Sequence, residues 1–269
     1  MSRFSTVTLD ALTIDDERAL SRVALYAPLA RVVREDGLLF RVAPAGTSQA
    51  TWSRALFLNL TFWHGADASD VLFERRIPAD VVAHTAWHHL AKGALGEGPA
   101  CGEAMLLGES IASAFDLYLV GALLAAGEEC DFLASQMDAM TAALEEAGYD
   151  ERDAARRFER VASDPDRAFE SLRALLFDVS VALLGARSLD EATAVFDAFD
   201  SHDDAPLLHH YELSNWILHC KAYGAQNEDL RSRAHAVHRA LKESPSASAW
   251  LEAEWLAPAI ARLEARPSR

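Results

Sequence analysis

From about residue 79 onward, apolar positions recur every three or four residues in long blocks, the period of a helix with one buried face. The blocks fall at about 79–92, 102–126, 130–147, 151–163, 166–186, 188–199, 206–222, 227–243 and 247–265. Between them stand KGALGEGP, AGYD, SDPD, GARS, SHDDAP, YGAQN and SPSAS, rich in the residues that end helices and start turns. The first eighty residues have another texture. In RALFLNLTFW (Arg54–Trp63), Leu56, Leu58, Leu60 and Phe62 alternate with Phe57, Asn59, Thr61 and Trp63, a period of two that predicts a strand. LLFRVAP (Leu38–Pro44) and DVLFERRIP (Asp70–Pro78) predict two more, the second ending at Pro78. The stretch 8–35 predicts mainly helix, with Thr13-Ile14-Asp15-Asp16 as an N-terminal cap followed by acids in the first turn.

The expected class is therefore α+β and predominantly helical, a small N-terminal sheet leading into helices. Residues 1–126 make an α+β portion and 127–269 a helical portion packed against it as one unit. No repeat of twenty to fifty residues is visible.

The chain has 269 residues, 51% of them apolar, enough to bury one large core or two small ones. A formal net charge of −16 leaves no basic surface for phosphates, which excludes a nucleic-acid partner and disfavours an anionic membrane. Cys101, Cys130 and Cys220 are far apart and in no C-x-x-C arrangement, which fits a reducing compartment. MSRFSTVTLD carries no apolar leader core, and FDLYLVGALLAAG is short and contains Asp116, so neither a signal peptide nor a membrane span is predicted. A cytoplasmic protein is the expectation.

One helix carries candidate chemistry. In HTAWHH, His84 and His88 are four apart and share a helix face, close enough to ligate one metal, while His89 is rotated by about a hundred degrees. On the next helix, in GESIASAF, Glu109 lies twenty-one positions after His88, with Ser113 one turn on and Asp116 on the same stripe. A carboxylate in so apolar a helix needs a cation or a hydrogen-bond donor, and a metal held by the two histidines would supply one.

His84-x-x-x-His88 followed by Glu109 in GESIASAF resembles the glutamate-zincin metallopeptidases, the superfamily of thermolysin. The resemblance implies zinc held by His84, His88 and Glu109, acting on a peptide or small-molecule substrate, and covers roughly residues 50–125. Two positions depart from the pattern: Thr85 stands where the family has its catalytic glutamate, and Ser113 where it has an aspartate behind the metal ligands. Threonine cannot take a proton near neutral pH, so ordinary peptide hydrolysis is not expected unless another group serves as base. Asp116 and Glu103 are candidates for that role, and His209 and Tyr211 for a distal group that stabilises an oxyanion.

Other readings stand beside this one. A non-catalytic pseudo-peptidase scaffold would keep the fold alone. A helical di-iron carboxylate oxygenase would draw on Glu103, Glu109, Asp116 and His209 or Glu212, with iron in place of zinc, although no Glu-x-x-His pair is present. His209, Glu212 and His219 share a face and are a second metal candidate. Asp116 otherwise makes a salt bridge to Arg75 or Arg76. His235 and His238 read as surface, DAFDSHDDAP as a solvated helix end and loop, and Trp250 with Trp255 as core packing or a homodimer contact.

Overall fold

The computed structural model describes residues 4–44, 46, 71–96, 98–211 and 213–266. The strand expected at Arg54–Trp63 lies outside them. The protein is α+β and predominantly helical, as its periodicity predicts. Two small sheets occupy the N-terminal end. In the first, β1 (Ser5–Thr8) pairs antiparallel with β3 (Leu39–Val42), which pairs parallel with β4 (Val71–Leu72). In the second, β2 (Thr13–Asp15) runs parallel to β5 (Arg76–Pro78), Ile14 opposite Ile77.

Residues 8–35 depart from the expected helix. Two strands and a 3-10 turn (Leu9–Ala11) precede the short helix α1 (Glu17–Leu20), and only α2 (Tyr26–Glu35) is a helix of more than about one turn. The partners of β1 and β2 lie far along the chain, so no local period marks them. Asp16 does sit at the start of α1, but in the left-handed region (φ 59°) with no cap hydrogen bond. Its carboxylate instead accepts from the backbone N–H of Phe132, 2.7 Å away.

The helices after Pro78 follow the expected order: α3 (Ala79–Leu95), α4 (Gly102–Ala126), α5 (Asp131–Glu146), α6 (Glu151–Ser163), α7 (Pro165–Gly185), α8 (Leu189–Phe199), α9 (Leu213–Tyr223), α10 (Glu228–Glu243), α11 (Ala247–Leu251) and α12 (Ala257–Glu264). Asp150, Asp164, Ser188, Asn227 and Ser246 each accept a backbone N–H three residues on, so five helix starts are capped by the residue types that do this best. Two predicted helices are interrupted. The block at 206–222 divides into a 3-10 turn (Ala205–His210) and α9. Pro258 has no N–H to continue the α-helical ladder, and a π turn (Glu252–Leu256) joins α11 to α12, Ala257 donating to the carbonyl of Glu252. That turn brings Trp250 and Trp255, five apart, onto one side with ring centroids 6.3 Å apart; Trp255 is buried.

Helix α4 is the axis of the molecule. It is apolar on nearly every side, the pattern of a helix surrounded by others, and it packs against α3, α6, α7, α9 and α10. At Gly121 a Cβ would fall 2.6 Å from the carbonyl oxygen of Val161, so the absent side chain lets α6 close onto α4. By length and composition α4 is also apolar enough to cross a membrane (mean hydropathy 1.4), a longer apolar run than FDLYLVGALLAAG alone, and 67% of that window is covered by the rest of the chain. One contiguous core runs from Val7 to Leu263 through both portions of the chain.

Candidate metal centre

Helices α3 and α4 are joined by a short loop and packed side by side, which makes them antiparallel neighbours. Their facing stripes meet at three side chains. His84 Nε2 and His88 Nε2 are 3.1 Å apart, with ring centroids at 4.8 Å. Glu109 Oε2 is 3.7 Å from His84 Nε2, and Glu109 Oε1 is 3.5 Å from His88 Nε2. Taking one donor atom from each residue, all lie within 4.8 Å of one another. His89 turns away, as its rotation predicts, and contacts Asp36 Oδ2 at 2.7 Å.

These separations suit a metal. With bonds of ~2.0–2.2 Å from imidazole nitrogen and carboxylate oxygen, the donors of a tetrahedral site stand about 3.3–3.6 Å apart. The three closest approaches, 3.1, 3.5 and 3.7 Å, bracket that interval, the two histidines facing different oxygens of the Glu109 carboxylate. The protonation states suit it as well. Burial, and next the neighbouring His88, lower the His84 pKa to about 4, so its ring is neutral at physiological pH, the form that ligates. Burial alone would raise Glu109, but His88, His84 and the Ser113 hydroxyl together outweigh it and hold the carboxyl below its ordinary range. Two imidazoles, that of His84 neutral, and one carboxylate form a group that can hold a metal ion.

The surroundings hold these donors in place. Ser113 Oγ donates to Glu109 Oε2 at 3.4 Å, a long bond from the position where the resemblance expects an aspartate. Gly108 is where His88 passes closest to α4: a Cβ there would stand 3.3 Å from His88 Nδ1. His88 and Glu109 are buried, whereas the His84 side chain is 30% exposed. His84 and Asp116 are each only partly buried.

The other expected site residues fare differently. Thr85 is 1% exposed and its hydroxyl has no hydrogen-bond partner among the described residues. Asp116 is two turns beyond Glu109 on the same stripe of α4; burial first, then the charges of Asp80 and Glu109, push its pKa well above the usual carboxylate range. Its expected salt bridge does not form: Arg76 bonds Asp15 instead (3.2 Å from Nε to Oδ2), and among the described residues no cation pairs with Asp116. Glu103, in the first turn of α4, is taken by Arg231 at 2.9 Å. His209 is exposed and stacks on Phe196 (centroids 6.0 Å apart), while His219 is buried against Tyr223. Glu212 lies outside the described residues, and among these His84, His88 and Glu109 are the one group with metal-ligand geometry. Tyr211 has a buried hydroxyl without a partner, its pKa raised by burial and then by Asp116.

Two regions expected at the surface are buried. His238 lies between Arg173 Nη1 at 3.1 Å and Asp178 Oδ1 at 3.1 Å. Asp204, in the acidic loop, is buried and accepts from Arg157 and Ser171. Asp80, on α3 one turn before His84, had no sequence signal beyond the acid common in first turns; only its charge effect on Asp116 marks it.

No protein-family model, curated protein or solved structure matches this chain.

Proposed function

We propose that this protein is a zincin-like metalloprotein that binds one divalent ion, zinc by donor type, through His84, His88 and Glu109, and that it acts as a metalloenzyme on a small-molecule or peptide substrate. The observation that carries the reading is the convergence of two imidazoles and a carboxylate whose donor atoms all lie within 4.8 Å of one another. Such an ion supplies Lewis acidity toward a carbonyl or phosphoryl oxygen. The chain's own part is to hold the donors: Ser113 fixes Glu109, and the bare backbone at Gly108 lets His88 reach it. Thr85 cannot take a proton near neutral pH. Asp116, whose carboxyl keeps its proton far more readily than an ordinary aspartate, is suited to give a proton to a leaving group.

A second reading, a metal-holding protein without turnover, has one observation in its favour. Among the described residues no carboxylate other than the ligand itself stands beside the three donors, since Glu103 is engaged by Arg231 and Asp116 is two turns away. The same two facts weigh against a pair of irons, which needs further carboxylates around the first set.

The test is metal content by mass spectrometry on untagged protein and on His88→Ala. About one zinc per chain, lost in the variant, is the expected result. A chain that stays empty after zinc reconstitution overturns the proposal. Thr85→Glu then separates the two readings: peptidase activity gained in the zinc-loaded variant supports a catalytic scaffold that lacks its base.

A further inference from the structure

We infer that helix α10 is an acid-released clamp: it holds the turn between α3 and α4 only while His238, which joins its C-terminal half to α7, is uncharged. The N-terminal end of α10 reaches that turn with three side chains. Asn227 Nδ2 donates to the carbonyl of Pro99 at 3.2 Å, and Arg233 Nη1 donates to the carbonyl of Leu95, the last residue of α3, at 2.8 Å. Arg231 Nε pairs with Glu103 Oε1, in the first turn of α4, at 2.9 Å. Arg233 crosses the chain at Gly96, where φ is 109° and a Cβ would stand 2.5 Å from Nη1, so the turn has room for it only because the side chain is missing. This turn joins the two helices that carry His84, His88 and Glu109.

The other end is fixed by one histidine. His238 Nδ1 lies 3.1 Å from Nη1 of Arg173, which is fully buried. A guanidinium has donors only and keeps its charge, so Nδ1 is the acceptor. The ring proton is then on Nε2, which donates to Asp178 Oδ1 at 3.1 Å. Only the neutral ring fills both roles. A second proton has one place to go, Nδ1, where it points at the Arg173 N–H. Neither group is free to turn away. Glu170 holds Arg173 through Nε at 2.6 Å and Nη2 at 2.7 Å, and the His238 ring lies against Phe177 with centroids 4.4 Å apart. Protonation therefore replaces a hydrogen bond from a charged donor with two buried N–H groups facing each other.

The charged groups that meet His238 are Arg173 and Asp178, both on α7, and each has a second partner: Glu170 on Arg173, and Lys242 on Asp178 at 3.3 Å. Asp178 attracts a charged ring but offers Nδ1 no acceptor, so the clash at Arg173 stays. His235, one turn back on α10, meets the edge of Phe177 at 5.5 Å. Helices α3, α4 and α11 also pack on α10, and among the described residues they bring no ion pair or hydrogen bond to the ring. Interfaces that need a neutral histidine open as pH falls through the range where imidazoles titrate.

The clamp does not rest on the metal reading, and it is tested on the full chain with chelator present so that metal loss in acid plays no part. Amide hydrogen exchange is followed at pH 7.5 and 5.5, with exchange times scaled for the intrinsic effect of pH, in the natural chain and in His238→Gln. Glutamine can accept from Arg173 and donate to Asp178 without titrating. In the natural chain, peptides from 228–243 and 95–103 should exchange about tenfold faster at the lower pH, the loss of one hydrogen bond to a charged group. Peptides from α6 should not change, and in the variant none should. Equal rates at both pH values in the natural chain, or the same acceleration in the variant, overturn the inference. So does acceleration in 228–243 without 95–103, because the turn is then held independently of α10. Nitrogen chemical shifts of the His238 ring give a second reading that needs no variant: a proton on Nδ1 at pH 7.5 also overturns it.

Discussion

Two buried histidine clusters in this protein are built on opposite plans. Around His238 the protein supplies its own cations. Arg173, fully buried, bonds Glu170 through Nε at 2.6 Å and meets His238 Nδ1 at 3.1 Å; His238 Nε2 faces Asp178, which also meets Lys242 at 3.3 Å. Every carboxylate there has a positive neighbour, and Asp178 is held below its ordinary range by its bonds to His238 and Lys242 despite burial. Around His84 and His88 there are Glu109, Asp116 and Asp80, and no arginine or lysine is paired with any of them among the described residues. A cluster that joins helices brings its own counter-charge. One that leaves carboxylates uncompensated is open to a counter-charge from outside.

Breaking the first cluster should have the largest effect on stability. Arg173→Met strands Glu170 and leaves His238 Nδ1 without its donor, and a loss of about 3–5 kcal/mol in urea unfolding is expected, with zinc per folded chain unchanged. Loss of zinc in that variant would mean the two clusters are coupled and the contrast false. Ser113→Ala removes the hydroxyl that donates to Glu109 Oε2, and competition with a chromophoric chelator should report zinc bound about tenfold more weakly. Gly108→Ala pushes on His88 by a few tenths of an ångström and should weaken zinc by less, with the fold retained.

The smallest effect concerns Asp116 and has a definite sign. Its folded pKa is raised above the unfolded value, so the native state keeps a proton that the unfolded chain has released. That difference favours the native state at low pH and is lost as pH rises from about the unfolded value of ~3.9 through the folded pKa. Asp116→Asn should therefore raise the melting temperature at neutral pH and leave it nearly unchanged near pH 4. A variant that is less stable at neutral pH would mean that Asp116 is already paired, and the idea of an uncompensated carboxylate would fall with it.

Much of this was legible in the chain itself, for reasons that differ between elements. Helices α3 to α8 repeat at 3.6 residues, and α6, α7 and α8 also begin at side-chain caps, both local properties; their ends fall within a few residues of the expected positions. The pairing of His84 with His88 is equally local, since four residues on a helix always return to one face. Strands β1 and β2 were not legible, because each is only three or four residues long and its partner lies tens of residues away. The burial of His238 and Asp204 was hidden because their partners Arg173 and Arg157 belong to other helices.

The order of elements, the shared face of His84 and His88, and the stripe carrying Glu109, Ser113 and Asp116 were decided by the sequence alone. They follow from helical periodicity, which each segment carries within itself. Which face of α4 meets α3 was decided only in the tertiary structure, and with it the level at which Glu109 meets the histidines and the nearness of Asp80 to Asp116. That choice depends on packing α4 among several other helices at once, and on sites such as Gly108 and Gly121 where the neighbouring element comes close enough to fix the register.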